Sequence, residues 1–226
     1  MGVGHVALAL GASRATPRLN VGWLIFAALL ADFLLGIFAW FGIEHATVPA
    51  DLATGHYLLF TFPYSHGLLP LLVWGTIFGY LVSRAFRLEA KTIWLVVALV
   101  VLSHFLLDGI VHVAGLPLAG ENSPKFGLGL WNHMPLELLL ETGMAVAGVA
   151  IYWRLGGSAL SRYGMAVFVL VVTGLGWTQL GMNKVPSAKA LSVMWIIAPV
   201  LFSAIAYGID RKRVSMVSVP AEGPKP

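Results

Sequence analysis

The chain has 226 residues, of which 58% are hydrophobic and 11% charged, with a formal net charge of +4. A soluble domain carries roughly 25% charged residues, so this balance, with a mean hydropathy of +0.85, excludes an ordinary soluble fold and points to an integral membrane protein. The absence of cysteine excludes disulfides, thiol nucleophiles and zinc–thiolate sites, and the basic residues are scattered at helix ends rather than gathered into a nucleic-acid-binding patch.

Met1 to Ala12 is apolar but has no basic leader, so it reads as retained rather than as a signal peptide. Gly4 to Ala12 is too short to span a hydrocarbon core of about 30 Å and is expected to form an interfacial or half-inserted helix carrying His5. After the polar break Ser13–Arg18, Asn20 is placed to cap a first span, about Val21 to Ile43, with Asp32 at its middle. A loop with Glu44, His45, Asp51 and His56 follows. The second span, about Leu58 to Ser83, opens with Tyr64-Ser65-His66-Gly67 and contains Pro70, so its outer end is expected to bend or start late. The third runs from about Thr92 to Val113. A loop from Ala114 to Leu130, rich in Gly, Pro, Asn and Ser, has no obvious helix or strand and is expected to lie ordered against the outer mouth of the site. The fourth span opens at Trp131-Asn132 and ends near Tyr152. The fifth covers about Tyr163 to Met182 and the sixth about Ala190 to Ile209. The expected fold is therefore all-α: six transmembrane helices plus a short N-terminal half-helix in one domain, residues 1–210, with a basic, disordered tail at 211–226.

Six spans place 11 of the 14 basic residues on one side, leaving Lys125, Lys184 and Lys189 on the other. The positive-inside rule then predicts both termini in the cytoplasm.

Orientation gives depth to the polar residues. His104, Asp108 and His112 recur at steps of four on the third span, hence on one helix face, spaced about 6 Å apart. His133, Glu137 and Glu141 do the same on the fourth. Each ionisable side chain costs about 2.5–3.5 kcal/mol to insert, so these stripes need partners. His66, Asp32 and, if the first helix re-enters, His5 lie at suitable depth. His104 and Asp108 are therefore expected to face inward, within reach of His66 and Asp32. Neutral imidazoles with carboxylates suit zinc, manganese or iron, with zinc and manganese first. Glu137 and Glu141 read as a further carboxylate layer or proton relay. His112 and His133 read as hydrated interface residues, and His45 and His56 as loop residues. Gly143, Gly148, Gly174, Gly176 and Gly181 read as close helix contacts.

Gly4-His5, Asp32 after a small apolar run, Ser65-His66 at a helix head, Ser103-His104-x-x-x-Asp108 and Gly115-x-Pro117-Leu118 stand in one order. Over residues 4 to 132 this order resembles the family of predicted membrane-bound metal-dependent hydrolases of bacterial inner membranes. That family usually carries an Asp-x-Asp or Asp-x-Asp-His after the first span and a His-Arg-Gly-x-Thr-His-Ser block. Here Asp32 stands alone, and Tyr64-Ser65-His66-Gly67 is what remains of the block. The resemblance implies a divalent metal held by His5, Asp32, His66, His104 and Asp108, in a bacterial inner-membrane protein.

The leading expectation is a metal-dependent hydrolase of a lipid or lipid-linked substrate at the outer leaflet, with Glu137 or Glu141 as general base. Ser65 has no evident base beside it and is the weaker candidate for a nucleophile. One alternative is a transporter or channel passing protons or divalent ions along the His/Asp/Glu cluster. Another is a non-catalytic membrane protein whose buried polar network fixes helix packing. Membrane lipids are the expected partners, and nucleic acid is not one.

Overall fold

The computed structural model describes residues 2–86, 89–181 and 184–217. Among the described residues, four helical segments are long and apolar enough to cross a membrane: Ala90–Val111, Leu130–Trp153, Ala159–Gly181 and Ala188–Ser215. A fifth span results if the bent pair Val21–Ala28 and Leu30–Trp40 is counted as one.

In chain order, α1 (Gly2–Ala12) is an 11-residue helix that buries Val3, Gly4, His5, Val6, Ala7, Ala9 and Leu10. At 1.5 Å per residue it is about 16 Å long, too short to span alone. It packs against α7 (Met134–Trp153). Gly148 permits the approach, since a Cβ there would lie 2.6 Å from the Ala7 carbonyl oxygen. α2 (Val21–Ala28) begins at Asn20, whose side chain accepts from the Gly22 amide. It is followed by α3 (Leu30–Trp40) after a 51° bend at Leu29. The sequence predicts one unbroken helix here, with no proline or glycine at the bend. The physical cause lies elsewhere: His104 Nδ1 takes the Ala28 carbonyl at 2.7 Å. A side chain inserted into the backbone ladder is a recognised cause of a sharp kink.

The segment predicted as the outer half of the second span is not helical. Its strand β2 (Leu59–Thr61) pairs antiparallel with β1 (His45–Thr47), bracketing the single turn α4 (Leu52–Gly55). α5 (Leu68–Arg84) then has 17 residues, about 25 Å. It lies against α6 (Ala90–Val111) at Gly75 and Gly79, where a Cβ would meet the Ala98 and Trp94 carbonyls at 2.9 and 2.6 Å. This four-residue glycine spacing is a membrane-helix contact that the sequence reading did not single out. Of the glycines that it did, Gly148 is a close contact; Gly143, Gly174 and Gly181 have nothing within 4 Å, and Gly176 has Glu141 Oε2 at 3.8 Å.

The loop after α6, expected to lack strand, forms a small ribbon, β3 (Leu116–Pro117) with β4 (Lys125–Phe126). Phe126 packs over Gly109, and the Leu69 amide donates to the Leu118 carbonyl, closing one end of the bundle. A 3-10 turn at Leu130–His133 leads into α7. α8 (Ala159–Trp177) is capped by Ser158, and a further 3-10 turn covers Thr178–Gly181. The end of the predicted fifth span at Met182 lies outside the described residues.

α9 (Ala188–Val217) runs eight residues past the predicted end of the sixth span. Residues 211–217 are thus helix rather than tail, because Arg213 and Asp210 are buried in a network. Asp210 accepts from the Val21 amide, from Tyr152 Oη at 2.5 Å and from Arg213; Arg213 also donates to the Pro17 and Leu19 carbonyls. The predicted tail beyond 217 lies outside the described residues.

The arrangement is apolar outside and partly polar within. Leu72, Leu81, Leu106, Leu139, Leu170 and Leu201 are exposed, whereas His5, His66, His104, Asp108, Glu137 and Glu141 are buried.

Candidate metal centre

Four residues apart on α6, His104 and Asp108 share its inward face, and His112 follows as its C-cap; the three are 1%, 2% and 6% exposed. Asp108 is the hub. Its Oδ1 accepts from His5 Nε2 at 3.0 Å, so α1 is pinned to α6. Its Oδ2 lies 3.3 Å from His104 Nε2, 3.2 Å from His112 Nε2 and 3.8 Å from His66 Nε2. Asp32, in the first turn of α3, brings Oδ1 to 3.7 Å from His66 Nε2. The rings of His66 and His104 are 4.9 Å apart. Sequence-predicted His5, Asp32, His66, His104 and Asp108 therefore converge from α1, α3, the turn before α5, and α6. The inward orientation expected of His104 and Asp108 is what the structure has.

Two hydrogen-bond chains decide which imidazole nitrogens carry lone pairs. A carbonyl can only accept, so His104 Nδ1 is protonated toward Ala28, at the α2–α3 bend. In the neutral ring its Nε2 then carries the lone pair; that buried atom makes no hydrogen bond and faces Asp108 Oδ2 at 3.3 Å. Ser65 Oγ gives its one proton to Glu44 Oε2 at 2.6 Å and so accepts from His66 Nδ1 at 2.8 Å. His66 Nε2 is thereby left as a lone pair facing Asp32 and Asp108. Metal-ligating histidines are oriented in this way, by donating their other nitrogen to a carbonyl or carboxylate chain. His5 Nδ1 is likewise buried without a partner.

These residues form two groups whose ligand atoms lie within 4.8 Å of one another: His5, His104 and Asp108, and Asp32, His66 and His104. With metal–ligand distances of about 2.0–2.2 Å, ligand atoms around one ion stand about 3.4 Å apart, close to the distances above. The buried His/Asp group can hold a metal ion, and the two orphaned imidazole nitrogens fit that use.

Glu137 and Glu141 are buried on α7 but belong to neither group. They line a neighbouring cavity of about 300 Å³ together with Asp32, Gln179 and apolar side chains of α8 and α9 such as Leu175 and Phe202. Glu141 Oε1 accepts a long 3.5 Å bond from the Gly4 amide.

Two residues depart from their expected roles. His112 is buried against Asp108, with Trp131 packed on its ring at 3.9 Å between centroids, so it is not a hydrated interface residue. His133 is exposed, as expected. Glu44, read as a loop residue, is fully buried and accepts from the Tyr64 and Ser65 amides as well as from Ser65 Oγ. Nothing in local periodicity signals this, because its partners are 20 and 21 residues away. No family model, no curated protein and no solved structure matches this chain.

Proposed function

We propose that the protein is a membrane-embedded metal-dependent hydrolase acting on a lipid or lipid-linked substrate. The observation that carries this reading is the position of Asp32, which belongs to the His/Asp group and also to the wall of the cavity holding Glu137 and Glu141. A divalent ion, zinc or manganese by donor type, would be held by His66, His104, Asp32 and Asp108, with His5 bracing Asp108. When bound it supplies an activated water and polarises the scissile group. Glu137 or Glu141, facing the same cavity, takes the proton from the attacking water and returns it to the leaving group. The apolar side chains of Leu175 and Phe202 suit an acyl or prenyl portion of the substrate.

The one-sided placement of the polar groups favours a site over a through-path. Below His104 on α6 come Val101, Val100, Val97 and Ile93, all buried and apolar. A proton or ion pathway would need polar groups there. Ser65 acts as an anchor for His66 rather than a nucleophile, since its proton is committed to Glu44.

The membrane arrangement proposed with this site is six spans, with α2–α3 and α5 completing the four long helices and α1 half-inserted. Both termini then face the cytoplasm of a bacterial inner membrane, and the cavity lies toward the outer leaflet. The functional test is turnover by purified, metal-loaded protein against a panel of lipid phosphates and lipid esters. Hydrolysis lost in Glu141→Gln with metal retained is the expected result. No hydrolysis, with metal-dependent proton or cation uptake into proteoliposomes, would instead establish the transporter.

A further inference from the structure

We infer that the cavity beside the His/Asp group recognises an organic cation: the ammonium group on the polar head of an amphiphile, held by Glu137. This deepens the hydrolase reading by naming a substrate class, and it rests on that reading only in making the amphiphile a substrate.

The lining of the cavity is one-signed. It takes three carboxylates, Asp32 from α3 with Glu137 and Glu141 from α7, and among the described residues no lysine, arginine or histidine. Glu137 and Glu141 stand four apart on one helix, where like charges repel. They are 3% and 4% exposed. Carboxylates buried in an apolar bundle need a cation or must give up their charge. Asp32 faces His66 at 3.7 Å, and Glu141 accepts from the Gly4 amide. Glu137 has neither a cationic partner nor a backbone donor among the described residues; the polar group beside it is the carboxyl of Glu141.

An ammonium group supplies what is missing, a positive charge that donates to a carboxylate and lies well against an electron-rich ring. Trp195 lines the same cavity, and tryptophan is the ring that attracts such cations most strongly. A metal ion suits this end less well. Neither glutamate joins the His/Asp groups able to hold one, and an indole offers it no lone pair. A phosphate would find no counter-charge. At about 300 Å³ the cavity is at the small end of ligand pockets, which run from roughly 300 to 1,000 Å³. It therefore takes a polar head and the start of a chain beside Leu175 and Phe202, not a whole lipid. The two glutamates then do different work: Glu137 binds the ammonium, and Glu141 remains the base. Asp32 belongs to both the cavity and the His/Asp group, which sets the ammonium next to the metal centre.

The full-length protein in a non-ionic detergent is titrated by calorimetry with hexylamine, which is protonated at neutral pH. Hexanol, hexyl phosphate and methylamine are titrated in parallel, each with and without prior chelation. Hexylamine is expected to bind about tenfold tighter than the other three, and Glu137→Gln to remove that advantage while leaving hexanol unchanged, the order that a hydrogen bond between charged groups contributes. Hexanol or hexyl phosphate binding as tightly, or full hexylamine affinity in Glu137→Gln, overturns the ammonium site. Methylamine binding as tightly overturns the amphiphile in favour of a free organic cation. If Glu137→Gln does not fold, Trp195→Leu decides: weaker hexylamine binding with hexanol unchanged supports the site, and unchanged hexylamine binding overturns it. These titrations need neither turnover nor metal. Hexylamine preference without hydrolysis of any ammonium-bearing lipid keeps the site and removes the hydrolase; hydrolysis without that preference does the reverse.

Discussion

Ser65 is too small and too buried to touch a substrate, yet it settles the chemistry of its neighbour. By giving its proton to Glu44 it obliges His66 to protonate Nδ1 and keep Nε2 as a donor of electrons. Replacing such an orienting partner usually weakens metal affinity by about 10–100-fold. Ser65→Ala and Glu44→Gln are therefore expected to raise the metal dissociation constant by that order, measured by chelator competition, without removing the site. Affinity unchanged in both would mean that His66 does not ligate. At this scale the sequence was legible where chemistry repeats at helical spacing. His104 and Asp108 announce themselves by a four-residue step in an apolar run. Glu44 does not, because its partners come from a turn folded back from beyond β2. The burial of His112 was hidden for a similar reason, since Trp131 covers it from the far side of a 17-residue-long predicted loop.

Helices here are positioned by a few polar clamps and by close glycine contacts. The Asp210 carboxylate ties the start of α2 to α7 and α9 through the Val21 amide, Tyr152 and Arg213. Removing one partner of a buried ion pair costs about 3–5 kcal/mol, because the other charge is stranded. Asp210→Ala is expected to lower unfolding stability in detergent by that amount, and Asp210→Ala with Arg213→Met to recover much of it; equal losses in both would contradict the clamp. At the other helix interface, Gly148→Val places methyl groups against the Ala7 backbone. Overpacking of this kind costs about 1–3 kcal/mol. It is expected to displace α1 and with it His5, seen as faster proteolysis near the N-terminus. The bends and ends of helices were the least legible features. The α2–α3 kink has no proline or glycine to mark it and is made by His104 from another helix. The extension of α9 was disguised as a polar tail, since Asp210 and Arg213 look solvent-seeking until the Pro17 and Leu19 carbonyls are brought to them.

For the whole molecule, hydropathy made the class legible, and the structure retains four long apolar helices with a bent pair beside them. What composition could not reveal is that α5 is short because its predicted outer half pairs as a strand with β1. Both termini in the cytoplasm predict that, in a chain free of cysteine, a cysteine placed at Lys212 is labelled only from inside and one at Asn122 only from outside. The reverse pattern would refute the six-span arrangement. The central claim, however, is that the polar interior is a metal centre and not a packing network. X-ray absorption on the zinc-loaded protein tests it most directly. The account predicts a mixed nitrogen and oxygen shell at about 2.0–2.2 Å with imidazole scattering, and loss of bound zinc in His104→Ala. Zinc retained in His104→Ala, or a shell without imidazole, would contradict it.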